Sequence, residues 1–547
     1  MRLALSFAAA LALTSAGFAQ QPKEQPFPRR MLFVHAADYL YLNPLTHAAP
    51  GGADRVREAA GRLASGLRVP TAKDNDQLFV LADTPTTDPR LPTKDAIAKA
   101  LDGFCATTRG QDRVVVYFGV HAVGKDGKAF VVPIDGDPAA AGTLLPVADV
   151  YAKLNALKAA QKVVIWDVCR HNPDRVRGRR DPGPMTPALF EALAAAPEGV
   201  QVLIGCSPGE SGLEYFTPRG PAGTFPGSAY LDALRQAAAD DRTATPKAAP
   251  GDAIPVDALH KAAVKAVAAV AKGQTPALAG AAPKQPAAFD PKEVPAKRFD
   301  LPAPPKGAPA AEVKAILDEL ALPPLVEGDG PGPIARLPYP EAALKGYAAD
   351  VSVEDILKTA EKYPLRAATL RALQTVRGAW HLDGKEQKAV AALGAPVTDR
   401  TKKAVTVAQN SVAITIVGLE LELSRLEAVA DERAKETKRW QAHYDFAVAE
   451  LRLRLVVLNE YNRALAKVRT DSLPDVPAGG TGWRLVPGTK IEGKKDVRAL
   501  FAAADEGFAR LAADHKGTPW EVLARRSQAV LPGARWEVVV PAKPEGK

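Results

Sequence analysis

One stretch, residues 112–172, constrains the fold of this chain more than any other. It reads DRVVVYFGVHA, then a spacer containing GKAFVVPIDGDP, then QKVVIWDVCRHN. Residues 114–120 are a continuous apolar run rich in β-branched side chains, opened by Asp112-Arg113 and closed by His121. A run of this kind predicts a strand buried on both faces. Residues 163–166 form a second run, ending on Asp167-Val168-Cys169-Arg170. Between them VADVYAKLNAL (147–157) carries apolar residues at helical spacing, so the unit predicts strand, crossover helix, strand. A right-handed crossover lays the two strands parallel, with both C-terminal ends on one rim. His121 and Cys169 then share that rim, where open α/β sheets place their ligands. A thiol nucleophile needs such an imidazole, because the thiolate is the reactive form and a histidine generates or protects it.

The preceding residues extend the pattern. MLFVH (31–35) and QLFVLA (77–82) predict strands, and ADRVREAAGRLASGL (53–67) predicts a helix. A further helix opens at Pro92-Thr93-Lys94 with Thr93 as its N-cap. Beyond Cys169, residues 175–180 form an Arg-rich loop, followed by a helix at 187–193 and a strand at 200–206. Strands alternating with helices predict a three-layer α/β sandwich with a mostly parallel sheet. No Gly-rich turn follows the first strand, which argues against a dinucleotide site.

The two motifs also resemble those of caspase-like peptidases, the class of caspases, metacaspases and their bacterial relatives. VVVYFGVHA is similar to the family's YFSGHG segment, and VVIWDVCRHNP to its DACR segment. The separation of His121 and Cys169, 48 residues, matches the spacing of about 50 seen in caspases. LIGCSPGESGLEY resembles the family's substrate loop and GTFPGSAYLDALR its following helix, so the resemblance covers about residues 29–281. It implies that Cys169 is the nucleophile and His121 the acid and base, with an oxyanion held by backbone N–H groups near Ala122 and Cys169. It further implies a substrate pocket in which Asp167 pairs with a substrate Arg or Lys, as in the metacaspase branch. Strand alternation would put Asp167 on the face of Cys169, and Glu210 and Glu214, in the loop after the fifth strand, could add negative charge to the pocket, their direction being left open by the sequence. The Arg-rich loop, taken as exposed, would then be a self-cleavage site. Resemblance to metacaspases allows calcium activation; no cofactor or metal is otherwise expected. The chain departs from the family at Gly119-Val120 and at Ala122, which replaces a glycine. That departure supports an alternative: a catalytically weak scaffold acting through its second half.

Residues 1–19 have an early Arg, an apolar core and small residues at Gly17 and Ala19. They predict a cleaved signal peptide, hence a secreted or periplasmic protein. No cysteine near the cleavage point suggests a lipid anchor, and no later stretch reads as long and apolar enough to span a bilayer. The net charge of +9 comes from Lys and Arg interspersed with nearly as many acids, which predicts a solvated surface and no nucleic-acid partner. Three cysteines make no disulfide scaffold and show no zinc-type spacing. With the usual sheet order, Cys169 and Cys206 would end neighbouring strands, where an oxidised bridge could form.

Residues 282–311 are rich in Pro and Ala and read as an extended linker. Residues 312–547 predict an α-helical region. Residues 412–430 and 440–465 carry heptad-like apolar spacing broken by the polar 431–438 stretch, which predicts two antiparallel helices. Residues 411–417 are β-branched enough to suggest a strand instead. Residues 497–513 and 520–526 read as one tetratricopeptide-like helix pair. Expected partners are peptide or protein substrates, with a further protein partner or self-association through the second half.

Overall fold

The computed structural model describes residues 29–540 apart from 46–52, 74, 84–89, 174, 216–226, 240–252, 285–298, 304–305, 309, 327–328, 330–331, 380, 383–384 and 387–389. The proposed signal peptide and most of the proposed linker therefore lie outside the described residues.

The first half alternates as its apolar runs dictate. In order it contains β1 (Arg29–His35), α1 (Ala53–Gly66), β2 (Leu78–Ala82), α2 (Lys94–Ala106), β3 (Arg113–Gly119), β4 (His121–Lys125), β5 (Lys128–Val132), α3 (Val147–Ala156), β6 (Gln161–Asp167), α4 (Pro187–Ala194), β7 (Val200–Ile204), β8 (Gly212–Tyr215), α5 (Ala229–Ala239), α6 (Val256–Val270) and β9 (Ala277–Gly280). The central sheet has the order β9-β7-β6-β3-β1-β2, parallel throughout except for the antiparallel edge strand β9. Every residue of β1, β3 and β6 is buried, as continuous β-branched runs require when helices cover both faces. Val116, Phe118, Val164 and Trp166 pack with α2, α3 and α4 on one face. Met31, Phe33, Tyr117 and Ile165 pack with α1, α5 and α6 on the other. Thr93 caps α2 as expected, accepting a hydrogen bond from Ala96 N.

Two features depart from expectation. The spacer GKAFVVPIDGDP is not a plain connection: β4 and β5 form an antiparallel hairpin beside the rim. The fifth strand stops at Ile204, two residues before Cys206.

The second half is mainly helical. Its principal elements are α7 (Ala310–Leu320), α8 (Pro364–Ala379), β10 (Ala392–Gly394), α9 (Asp399–Glu427), α10 (Lys438–Arg469), β11 (Gly482–Gly488), α11 (Lys495–Asp514), α12 (Pro519–Gln528) and β12 (Gly533–Val539). The helices α9 and α10 form the antiparallel pair, joined through a 3₁₀ turn at Ala430–Lys435. Residues 411–417 are helical. Val412, Ile416 and Leu419 are buried against neighbouring helices, so packing overrides their β propensity. A small antiparallel sheet, β10-β11-β12, was not foreseen. The helix α9 also corrects the expectation about membrane-length stretches, since by length and composition it is long and apolar enough to cross a bilayer.

The second half sits on the rim of the first. Leu40 and Val176, from rim loops, belong to the core of the second half. Beneath them lies a buried ion network. Arg526 of α12 bonds Asp38 at 2.9 Å and Asp329 at 3.2 Å, and Arg179 bonds Asp329 at 2.8 Å.

Candidate active site

The strands β3 and β6 are parallel neighbours in a register that pairs Gly119 with Asp167. His121 and Cys169 each lie two residues beyond that pair, so both stand at the same rim. Gly119 is where the chain needs a glycine, because a Cβ there would lie 2.8 Å from the His35 and Tyr117 rings.

His121 is wholly buried and fixed from two sides. Its backbone N–H donates to the Tyr39 hydroxyl at 2.7 Å, and its ring packs on Tyr39 at a centroid distance of 4.6 Å. Its Nε2 is 3.2 Å from the Asn43 carbonyl, and its Nδ1 has no partner. With Nε2–H donated to Asn43, Nδ1 is the nitrogen that can accept a proton. Burial pulls the imidazole down to about 4, partly opposed by the charge of Asp181. The ring is therefore neutral at pH 7.

Cys169 is 1% exposed and adopts a left-handed φ of +53°. A non-glycine residue pays for this conformation on the order of 1 kcal/mol or more, and such residues cluster where function fixes a side chain. The neighbouring Cys169 thiol, together with burial, pushes the Cys206 thiol well up. Cys206 Sγ also lies 3.9 Å from the Val168 carbonyl. All three cysteines are free thiols. Ala122 sits in β4 opposite Val131 and is not among the positive-φ residues, so its backbone does not call for glycine.

Asp167 is placed differently from its expected position. Strand alternation ends with β6, and the left-handed turn sends Cys169 into the apolar cluster on the α2, α3 and α4 face. Asp167 Oδ2 instead accepts from the hydroxyl of Tyr117, at 2.6 Å, on the opposite face. Its Oδ1 is buried without a partner, and Arg170 lies within electrostatic reach. The other two carboxylates are engaged elsewhere. Glu214 pairs with buried Arg170 at 2.9 Å. Glu210 accepts from the amides of Ser207 and Thr275.

The Arg-rich loop is not exposed, which corrects the expectation of an open cleavage site. Arg175, Val176, Gly178 and Arg179 are buried, Arg177 is half-buried, and only Arg180 is exposed. Arg175 donates to the Pro44 carbonyl at 2.8 Å, and Arg179 to that of Leu42 at 3.1 Å. Asn43 binds the backbone of Arg179 through both side-chain atoms and bonds Asp181 at 2.6 Å. The Leu531 amide from the second half donates to Gly178 O at 2.9 Å. The loop is thus bolted to the segment that anchors His121 and to the second half. A cleft of about 900 Å³ opens beside this assembly, walled by Leu42, Asp181 and Thr186 on one side and by Ala513, Glu521 and Arg525 on the other.

The roles of Asn43, Tyr39 and Asp181 were not seen in the sequence. No group of three or more His, Cys, Asp or Glu side chains is placed to hold a metal ion among the described residues. A scan against protein-family models and a search of the curated proteins each find no match.

Proposed function

We propose that the chain is an exported, caspase-like cysteine endopeptidase, seen here in a closed state. The observation that carries this reading is the position of Cys169 and His121, each two residues beyond the registered ends of adjacent parallel strands, with the His121 Nδ1 buried and unpartnered. In the reaction, Nδ1 takes the thiol proton as Sγ attacks the scissile carbonyl. It then returns the proton to the leaving amine. The Asn43 carbonyl holds the ring by Nε2–H and supports the imidazolium that forms in between. Backbone N–H groups near Ala122 and Cys169 are the proposed oxyanion donors. Cleavage after Arg or Lys is part of the same proposal. It rests on the resemblance to the metacaspase branch, since Asp167 itself bonds Tyr117 on the face opposite Cys169.

A second reading, a catalytically weak scaffold acting through its second half, is favoured by one observation: both Cys169 and His121 are buried. An acyloxymethyl ketone peptide ending in Arg separates the two. The peptidase reading expects covalent labelling of the wild type and of Cys105→Ala, and none of Cys169→Ala. A folded wild-type chain that stays unlabelled, while a generic small alkylator still reaches Cys169, rejects turnover in favour of the scaffold.

A further inference from the structure

The helix α9 is apolar on two faces, and only one is packed. Val412, Leu419, Leu423 and Leu426 face the core of the second half. On the other side Val407 is 70% exposed, Ile414 75%, Val417 64% and Leu421 51%. Four of the six large exposed hydrophobics among the described residues lie in this one stripe, and such a patch marks an interaction site. Its spacing says what kind. Val407, Ile414 and Leu421 recur every seven residues, and Asn410, Val417 and Ser424 repeat three positions later. A strict seven-residue repeat stays on one seam only when a second helix wraps around the first. Small residues, Ala404, Ala413 and Gly418, flank the seam and permit close approach.

We propose that the occupant is a second copy of this chain, its α9 antiparallel to the first across a two-fold axis between Ile414 and Val417. The charges choose this orientation. Residues 404–419 are uncharged. Exposed Asp399, Arg400 and Lys403 give one end a net positive charge, and exposed Glu420, Arg425, Glu427 and Asp431 give the other a net negative one. An antiparallel pair sets basic end against acidic end twice and opposes the helix dipoles. A parallel pair stacks like on like. Pairing places Val407 against Ser424 of the other copy and Ile414 against Val417. A lipid surface fits less well. The stripe is narrow, holds Asn410 and Ser424, and has no aromatic anchor, while the far side of the helix is committed to protein and carries buried Glu422. A seam of this length buries on the order of 1,000 Å² in total, at the low end for specific interfaces, so the dimer is a reversible one of about micromolar strength.

Sedimentation velocity of the full chain from about 1 to about 100 μM tests this. The expected result is a monomer–dimer equilibrium whose dissociation constant rises at least about tenfold in Ile414→Glu. The far-UV spectrum should be unchanged, and so should the melting temperature measured well below the wild-type dissociation constant, because Ile414 is 75% exposed. Mixing Val407→Cys with Ser424→Cys chains under mild oxidation should cross-link the two, while Val407→Cys alone should not cross-link to itself. A chain that stays monomeric, a dimer indifferent to Ile414→Glu, or self-linking Val407→Cys overturns the proposal. Flotation of a monomeric chain with phosphatidylglycerol vesicles, lost in Ile414→Glu, would also overturn it and assign the stripe to lipid.

Discussion

His121 is held so that only one of its nitrogens can act, and the burial that holds it also ties its protonation to stability. Its folded value, about 4, lies below the unfolded value of 6.5. The folded chain therefore binds fewer protons than the unfolded one, and stability complete above pH 6.5 drains as the pH falls toward 4. The gap corresponds to about 3 kcal/mol. Asp38 works in the opposite sense. Burial pushes its carboxyl up to about 7, against the pull of Arg526, so its contribution is present at low pH and lost as the pH rises through 7. The wild-type profile mixes the two, and a difference isolates the histidine. Urea unfolding between pH 7 and 4 is expected to show His121→Gln losing less stability than wild type, by up to about 3 kcal/mol. Equal losses would mean that His121 is not buried as described. At this scale His121 and Cys169 were legible because each closes a β-branched run. The Asn43 carbonyl was not, since a backbone acceptor 78 residues away carries no residue-type signal. Nor was the left-handed turn at Cys169, which ended the alternation on which the placing of Asp167 relied.

Among the elements, the segment after Cys169 matters most. Its arginines suggested a solvent-facing loop, but they serve as buried donors to Leu42 O, Pro44 O and Asp329. Composition shows that charges exist; only the fold shows whether partners await them. Removing Arg526 would leave Asp38 and Asp329 buried without their shared cation. Arg526→Ala is expected to cost about 3–5 kcal/mol in chemical denaturation and to speed labelling of Cys169 by a small alkylator several-fold. Unchanged labelling would mean that the second half does not shield the thiol. The β4–β5 hairpin was missed for a correctable reason. Its turn is Asp126-Gly127, both at positive φ (50° and 71°), a strong two-residue hairpin signal. The sheet β10-β11-β12 was harder to foresee, because its strands come from residues 392 to 539 with long helices between.

At the scale of the whole molecule, two cores meet across one ionic layer. Leu40 and Val176 cross into the second core, and Arg179, Asp329, Arg526 and Asp38 join the halves beneath. Breaking that junction strands charge in both halves, so neither gains by unfolding alone. Calorimetry should show one transition for the intact chain, with Arg526→Ala lowering it and separating two. Two transitions in the wild type would mean that the ionic layer does not couple the cores. The sandwich was readable from residue order because each strand buries both faces; the docking was not, since its partners lie up to 488 residues apart. Phe299 carries a last consequence. It is 5% exposed, with its ring 4.6 Å from Phe79 and 5.9 Å from Phe104. The chain is thus fastened to the sandwich again just after residues 285–298, and the second half is docked at the rim besides. Scission anywhere in 285–298 would give two bands on a denaturing gel yet a single particle by gel filtration, because cohesion here does not depend on an unbroken peptide backbone.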